Sequence, residues 1–160
     1  MLEWVVSAAG LVGDPVVVGR SQSAGGVTTI PDRREAGLGP LAGLESALEY
    51  ACGRDVVLVA VDQPFVRPAT LERLLSLPGD AVVPRAGGRM QVTCAVYRPP
   101  CLEPTGEALD SGARSLQSLL ERIAVTVVDE VTWTSWGEDG RSWFSVDQKD
   151  DIESGRQRFG

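Results

Sequence analysis

Residues 56 to 65 read VVLVAVDQPF. Val56 to Val61 are apolar without a break, and a carboxylate, an amide and a proline follow at once. A run this short, rich in β-branched side chains and without polar alternation, suits a strand covered on both faces, as in a parallel sheet flanked by helices. Aspartate is a poor strand residue and is rarely buried unpaired. Its place at the end of the run marks the carboxyl end of this strand as a position that needs negative charge.

The rest of the chain alternates in the same style. Leu2 to Ala9 reads as a helix, and Pro15–Gly19 (PVVVG) and Val27–Ile30 as strands, the second after the glycine pair Gly25-Gly26. Pro31 to Gly39 is polar and glycine-bearing, hence loop. Pro40 to Ala51 sets Leu41, Leu44, Leu48 and Ala51 at helical spacing, with Pro40 in a tolerated first-turn position and Gly53 as the stop. Asp55 to Val61 is the strand already met. Pro68 opens a helix with Leu71, Leu74 and Leu75 on one side, closed by Pro78-Gly79. Ala81–Pro84 and Gln91–Arg98 are strands around an Ala86-Gly87-Gly88 turn. Ser115–Ile123 reads as helix, Val125–Asp129 as strand, Ser142–Val146 as a late strand and Asp150–Arg158 as the last helix. Strands alternating with helices imply an α/β fold with a mainly parallel sheet, in one domain over residues 1–160.

Composition removes whole classes of chemistry. The 160 residues contain no histidine, which excludes a Ser-His-Asp triad, a Cys-His pair and every His-ligated metal site. What remains is carboxylates, Arg or Lys, backbone amides and a hard cation held by oxygen. A net charge of −7 argues against a nucleic-acid partner, which needs a basic face. No apolar stretch approaches the roughly 20 residues of a membrane span. Cys52, Cys94 and Cys101 lack metal-ligand spacing and read as reduced thiols, and Met1-Leu2-Glu3-Trp4 lacks a basic signal-peptide start, so the expected place is the cytoplasm.

In open α/β sheets, ligands collect beyond the carboxyl ends of the strands. Asp62 stands at such an end; it serves a site there or caps the turn into the Pro68 helix. Asp32 ends a second loop after a strand, and Gly39-Pro40-Leu41-Ala42-Gly43 opens a helix behind it. A glycine-flanked helix start offers free N–H groups to an anion, and is also ordinary turn chemistry.

Taken together, IPDRREAGLGPLAGLESAL, VLVAVDQPFV, GRMQVTCAVYR, GARSLQSLLERI and SWFSVDQKDDI resemble, in order and spacing, the molybdenum cofactor guanylyltransferases, the MobA-like nucleotidyltransferases. The resemblance runs from about Leu2 to the last helix. It implies a Rossmann-like, doubly wound fold with helices on both faces of the sheet. It also implies transfer of GMP from GTP to molybdopterin with release of pyrophosphate. The family's metal-binding aspartate falls on Asp62, which would hold Mg²⁺ against the nucleotide phosphates, with Pro64 shaping the turn. The aspartate of the family's nucleotide site falls on Asp32, ahead of Gly39, Pro40 and Leu41. Asp62, Asp32 and the start of the Pro40 helix are then expected around one cleft.

Two departures from the family pattern matter. Its members open with a strand and a glycine-rich loop of the type LAGGxSxRMGxxK, whereas Leu2–Val6 aligns with the helix after that loop. Ser23-Ala24-Gly25-Gly26 has no lysine behind it and is no substitute. The first strand of such a sheet is central, between Pro15–Gly19 and Asp55–Val61, so its absence predicts a gap, low stability or self-association through open edges, and weak GTP binding. A gene start set too far downstream, a shortened product and a degenerate copy each fit this pattern. The second departure is Ser145-Val146-Asp147, where guanylyltransferases commonly carry asparagines. Asp147 is either a second metal ligand beside Asp62 or the N-cap of the last helix, and it leaves open another base or acceptor, such as that of a molybdopterin cytidylyltransferase. A non-catalytic homologue that keeps only the fold is the other alternative. Arg85, Arg89 and Arg98 are either solvated or contacts for an acceptor phosphate. Trp4, Trp133, Trp136 and Trp143 read as core or interface, with Trp133 and Trp136 the most exposed.

Overall fold

The computed structural model describes residues 1–19, 26–35 and 37–160. Helix α1 (Leu2–Gly10) is followed by strands β1 (Val16–Val18) and β2 (Thr28–Ile30), helix α2 (Pro40–Ala51) and strand β3 (Val56–Val59). Next come α3 (Pro68–Leu75), β4 (Ala81–Ala86), β5 (Arg89–Met90) and β6 (Cys94–Tyr97). The chain closes with α4 (Leu102–Asp110), α5 (Leu116–Leu120), β7 (Val125–Val128), α6 (Glu130–Ser135) and α7 (Lys149–Phe159). Most of the glycine-bearing stretch, Ser23 to Gly25, lies outside the described residues, as does Ala36 of the loop before α2.

β1 pairs with β2 in parallel. The larger sheet has the order β3-β6-β4-β5, with β7 beside β4. β4 and β7 are parallel, and β6 is antiparallel to both β3 and β4. β3, β4 and β7 therefore share one direction, and the hairpin strands β5 and β6 are the exceptions to a parallel α/β sheet.

Helices cover both faces, and the period of two along each strand decides which side chain goes where. Ala81 and Val83 of β4, with Ala95 and Tyr97 of β6, pack toward Leu41, Leu44 and Leu48 of α2 and Leu116 and Leu119 of α5. Val82, Cys94 and Val96 point the other way, toward Leu71 and Leu74 of α3 and the indoles of Trp133 and Trp143. Apolar residues on both faces of these strands are what a sheet between two helical layers requires.

Between β1 and β3 the described residues form no ladder; the two sheets face each other across a cavity of about 630 Å³. This is where the sequence placed the missing central strand. The open edge explains a burial pattern that the apolar run did not suggest. All four residues of β3 are only half-buried, whereas the four of β6 are fully buried. β3 also ends two residues earlier than expected, and Val61 is 49% exposed.

Several expectations need correction. Ser142–Val146 is not a strand: Arg141–Trp143 forms a 3-10 turn, and Val146 N–H donates to the Asp62 carbonyl at 2.8 Å instead of joining a ladder. α2 ends on Cys52, which itself takes the left-handed conformation (φ 50°), one residue before Gly53. The Ser115–Ile123 helix is regular only over Leu116–Leu120. α4 went unread because Pro104 and Gly106 argue against a helix. Pro104 sits in the first turn, where its missing N–H has no intrahelical partner to lose. α6 is short and rich in β-branched residues, and its start is fixed by the Asp129 carboxylate accepting from Thr132 N–H at 2.9 Å. Trp133 is buried, not exposed, and its indole N–H donates to the Arg85 carbonyl at 3.0 Å.

Candidate functional site

β3 gives way to a tight turn built from backbone and one buried amide. Gln63 N–H donates to the Ala60 carbonyl at 3.1 Å, and Gln63 Oε1 accepts from Ala60 N–H at 3.3 Å. Ala60 N–H also reaches Thr93 O at 2.9 Å, which ties the turn to the strand-side loop before β6. Pro64 is buried behind it. Asp62 is thus presented, half-buried, at the carboxyl end of β3. It does not cap α3: the residue before that helix is Arg67, which makes no capping bond.

The segment before α7 comes to meet it. Ser145 Oγ donates to Asp62 Oδ2 at 2.9 Å, and Asp147 Oδ1 lies 3.4 Å from the same Ser145 Oγ. One hydroxyl proton therefore sits between two carboxylates. Asp147 is not the N-cap of α7. That role belongs to Gln148, which forms a capping box with Asp151, and Asp147 contributes only its N–H, donated to Asp151 Oδ2 at 3.0 Å. The Asp147 carboxylate is left exposed beside Ser145.

What holds this segment in place was invisible in the sequence. Glu138, inside the turn-like Gly137-Glu138-Asp139-Gly140, is 2% exposed. Its carboxylate accepts from the Thr70 and Ser142 hydroxyls and from the N–H groups of Asp139, Gly140 and Ser142. Ser142 Oγ in turn accepts from Arg67 N–H at 3.1 Å. The segment is pinned to the start of α3, and three residues after Ser142 it delivers Ser145 to Asp62.

Asp32 lies two residues beyond the carboxyl end of β2. Its carboxylate packs against glycines: a Cβ added to Gly19 (φ +85°) would lie 3.1 Å from Oδ2, and one on Gly43 would lie 4.0 Å from Oδ1. The following residues lock this loop onto α2. Arg33 N–H donates to Ser46 Oγ at 2.8 Å, Arg33 pairs with Glu49, and Arg34 forks onto both oxygens of Glu45 at 2.7 and 2.9 Å. Hydrogen bonds to Glu45 and Asp110 raise the Arg34 pKa further above its already high value, so its charge is permanent.

The amino end of α2 is open. Gly39 (φ 77°) supplies no side-chain cap, Pro40 occupies the first turn, and Leu41 is fully buried, so only its backbone can face a ligand. Gly39 and Pro40 border a second cavity, of about 490 Å³, with Gln91, Thr93, Arg114 and Ser115 on its other walls. Pro40 and Thr93 line both cavities, and Ala60 and Val61 line the larger one. Asp62 lines neither, and no hydrogen bond links it to Asp32 among the described residues. The structure thus brings Asp147 and Ser145 to Asp62, sets Asp32 against α2, and adds Arg114 as a basic residue the sequence did not single out. Arg98 is removed from the list: its guanidinium serves the carbonyls of Leu75, Leu77 and Gly79 and the carboxylate of Asp55, ahead of β3 and away from Asp62. Arg85 and Arg89 remain exposed on the β4–β5 hairpin.

Residues 1–127 match the MobA-like NTP transferase domain. The chain belongs to that family. A probable molybdenum cofactor guanylyltransferase of Bacillus licheniformis is 36% identical over 120 residues, covering 73% of this chain and 60% of the relative. One from Natronomonas pharaonis is 33% identical over 136 residues, covering 83% of this chain and 64% of the relative. The chain therefore spans less than two thirds of the length of these relatives. The crystal structure of molybdopterin-guanine dinucleotide biosynthesis protein A from Archaeoglobus fulgidus superposes with a TM-score of 0.82 at 25% identity, covering 98% of this chain and 83% of that one. The 2-C-methyl-D-erythritol 4-phosphate cytidylyltransferase of Thermus thermophilus shares the fold, with a TM-score of 0.70 at 18% identity.

Proposed function

We propose that this chain carries the metal and nucleotide half of a Mg²⁺-dependent nucleotidyltransferase that moves GMP from GTP to molybdopterin. The observation that supports it most is the Asp62–Ser145–Asp147 cluster at the carboxyl end of β3. Two carboxylates and a hydroxyl are hard oxygen donors, and Mg²⁺ is typically bound by one or two carboxylates plus substrate phosphates rather than by a full protein cage. The donor set fits the ion.

In this reading Asp62 and Asp147 hold the cation, which supplies charge neutralisation at the transferring phosphate and the leaving pyrophosphate. An acceptor phosphate oxygen forms the new bond to the α-phosphorus, and the bond from that phosphorus to the bridging oxygen breaks, releasing pyrophosphate. Ser145 orients the Asp62 carboxylate. The uncapped N–H groups of Gly39 and Leu41 receive anionic oxygens of the nucleotide, aided by the positive end of the α2 dipole. Asp32, whose carboxylate lies beside Gly19 and Gly43, accepts hydrogen bonds from the nucleoside in this reading.

The test is pyrophosphate release by the full-length protein with molybdopterin, Mg²⁺ and either GTP or CTP. Release with GTP, lost in Asp62→Asn, is the expected result. Release with CTP alone would move the assignment to a cytidylyltransferase. No release with either nucleotide would overturn the enzymatic reading.

A further inference from the structure

Val146 N–H reaches the Asp62 carbonyl, and Ser145 Oγ reaches the Asp62 carboxylate. The segments on either side of this junction meet a second time, as aromatic rings. Phe65, three residues after Asp62, and Phe144, one residue before Ser145, pack edge to face with their centroids 6.0 Å apart. Phe159 of α7 closes the triangle, 5.9 Å from Phe65 and 5.5 Å from Phe144. Arg141 lies 5.3 Å from the centre of the Phe159 ring and pairs with Asp139, so the loop that carries Glu138 is tied to the same cluster.

The floor beneath these rings is Gly155, buried within α7. Glycine is the poorest helix former after proline, so an interior glycine calls for a reason. A Cβ here would lie 2.7 Å from Phe65 Cζ and 3.2 Å from Phe144 Cε1. Both are atoms of rigid rings packed against a third ring, and neither can swing aside as a flexible chain end would. The bare backbone of α7 is thus the surface on which both rings sit. How closely they approach it sets where the two segments lie.

We propose that Gly155, Phe65 and Phe144 are positioning residues that fix the spacing between Asp62 and Asp147. The inference rests on the reading of these two aspartates as one metal site. Phe65 anchors the turn after β3, Phe144 anchors the segment before α7, and Gly155 lets both rings seat on one helix. A methyl group at position 155 lifts the rings, and each ring carries an aspartate no more than three residues away. In an ordinary helix, replacing glycine by alanine stabilises the fold. Here the same change works against the site.

The test reads the junction and the ion separately in the same chain. Amide exchange at Val146 reports the bond to Asp62 without metal, and Mn²⁺ titration in the presence of GTP reports the site. In Gly155→Ala, exchange at Val146 should speed up by about tenfold more than at Val96, which is fully buried in the sheet, and Mn²⁺ should bind about tenfold more weakly. Phe65→Leu removes a ring without overpacking and should weaken Mn²⁺ in the same direction. Combined with Gly155→Ala, it vacates the space the new methyl needs, so the double variant should bind Mn²⁺ more tightly than Gly155→Ala alone. Leu119→Ala, which opens a cavity in the core on the α2 face of the sheet, should lower stability and leave Mn²⁺ affinity unchanged. Wild-type behaviour of both Gly155→Ala and Phe65→Leu would overturn the proposal. An equal loss of Mn²⁺ affinity in Leu119→Ala would overturn it too, by making the effect one of general destabilisation. Selective loss of Val146 protection in Gly155→Ala, with no Mn²⁺ bound by the wild type, would support the positioning role and overturn the metal reading instead.

Discussion

Ser145 Oγ donates to Asp62 Oδ2 at 2.9 Å across 83 residues of sequence, and Asp147 Oδ1 stands 3.4 Å from that same Ser145 Oγ. This contact brings two aspartates, one after a strand and one before a helix, to a single hydroxyl.

Asp62→Asn keeps the shape of the side chain and removes its charge. The turn survives, because Val146 N–H bonds the Asp62 carbonyl rather than the carboxylate. Far-UV circular dichroism and Tm should match wild type, while metal-dependent turnover of the full-length protein falls by at least the ~10–100-fold that loss of an outer-shell partner costs a metal site.

Ser145→Ala tests the positioning role. Removing the hydroxyl leaves both carboxylates present but without their shared partner, so metal affinity should drop by about tenfold, while Ser145→Thr restores most of it. Equal affinities in all three proteins would show that the hydroxyl contact is incidental.

Glu138→Ala strips the acceptor from two hydroxyls and three N–H groups in a buried pocket. Each buried donor left unsatisfied costs about 1–3 kcal/mol, with part recovered by re-pairing. Urea unfolding should show a loss of at least about 3 kcal/mol, large against the stability of a domain this size. Gly155→Ala is a second packing test: its Cβ would lie 2.3 Å from Phe65 Cε2, within the Phe65–Phe144–Phe159 cluster. Overpacking of this kind costs about 1–3 kcal/mol.

Alkaline pH should destabilise the fold through buried thiols. Burial pushes Cys94 up to about 12 and Cys101 up to about 11, from an ordinary 9.0. The unfolded chain releases these protons near pH 9, while the folded chain retains them. Their contribution is therefore complete below about pH 8.5 and lost as pH rises toward 11–12. Tm should decline from about pH 9 upward, less steeply in Cys94→Ala. At neutral pH only Cys52 is exposed, so a thiol reagent should modify one cysteine rapidly and all three after denaturation.

The sequence made the layered α/β fold legible wherever apolar spacing was regular, as in Pro40–Ala51, whose helix has the bounds expected of it. It also put Asp62 just past the carboxyl end of a strand, because the unbroken apolar run stops there. It failed where tertiary partners set local structure. Ser142–Val146 is rich in aromatic and β-branched residues like a strand but finds no ladder to join, and Glu138 reads as a surface turn although five donors converge on it. Pro104 and Gly106 hid α4, since first-turn tolerance of proline depends on knowing where the helix starts. The gap beside β3 was foreseen from strand order, but not its effect of leaving Val56–Val59 half-buried.

The central claim is that Asp62 and Asp147 form one divalent-metal site. The most direct measurement is a titration of Mn²⁺ into the chain in the presence of GTP, followed by electron paramagnetic resonance. The account predicts one Mn²⁺ per chain, weakened at least tenfold by Asp62→Asn and by Asp147→Asn, and unaffected by Asp129→Asn at the start of α6. Mn²⁺ binding that is unchanged in Asp62→Asn would contradict it.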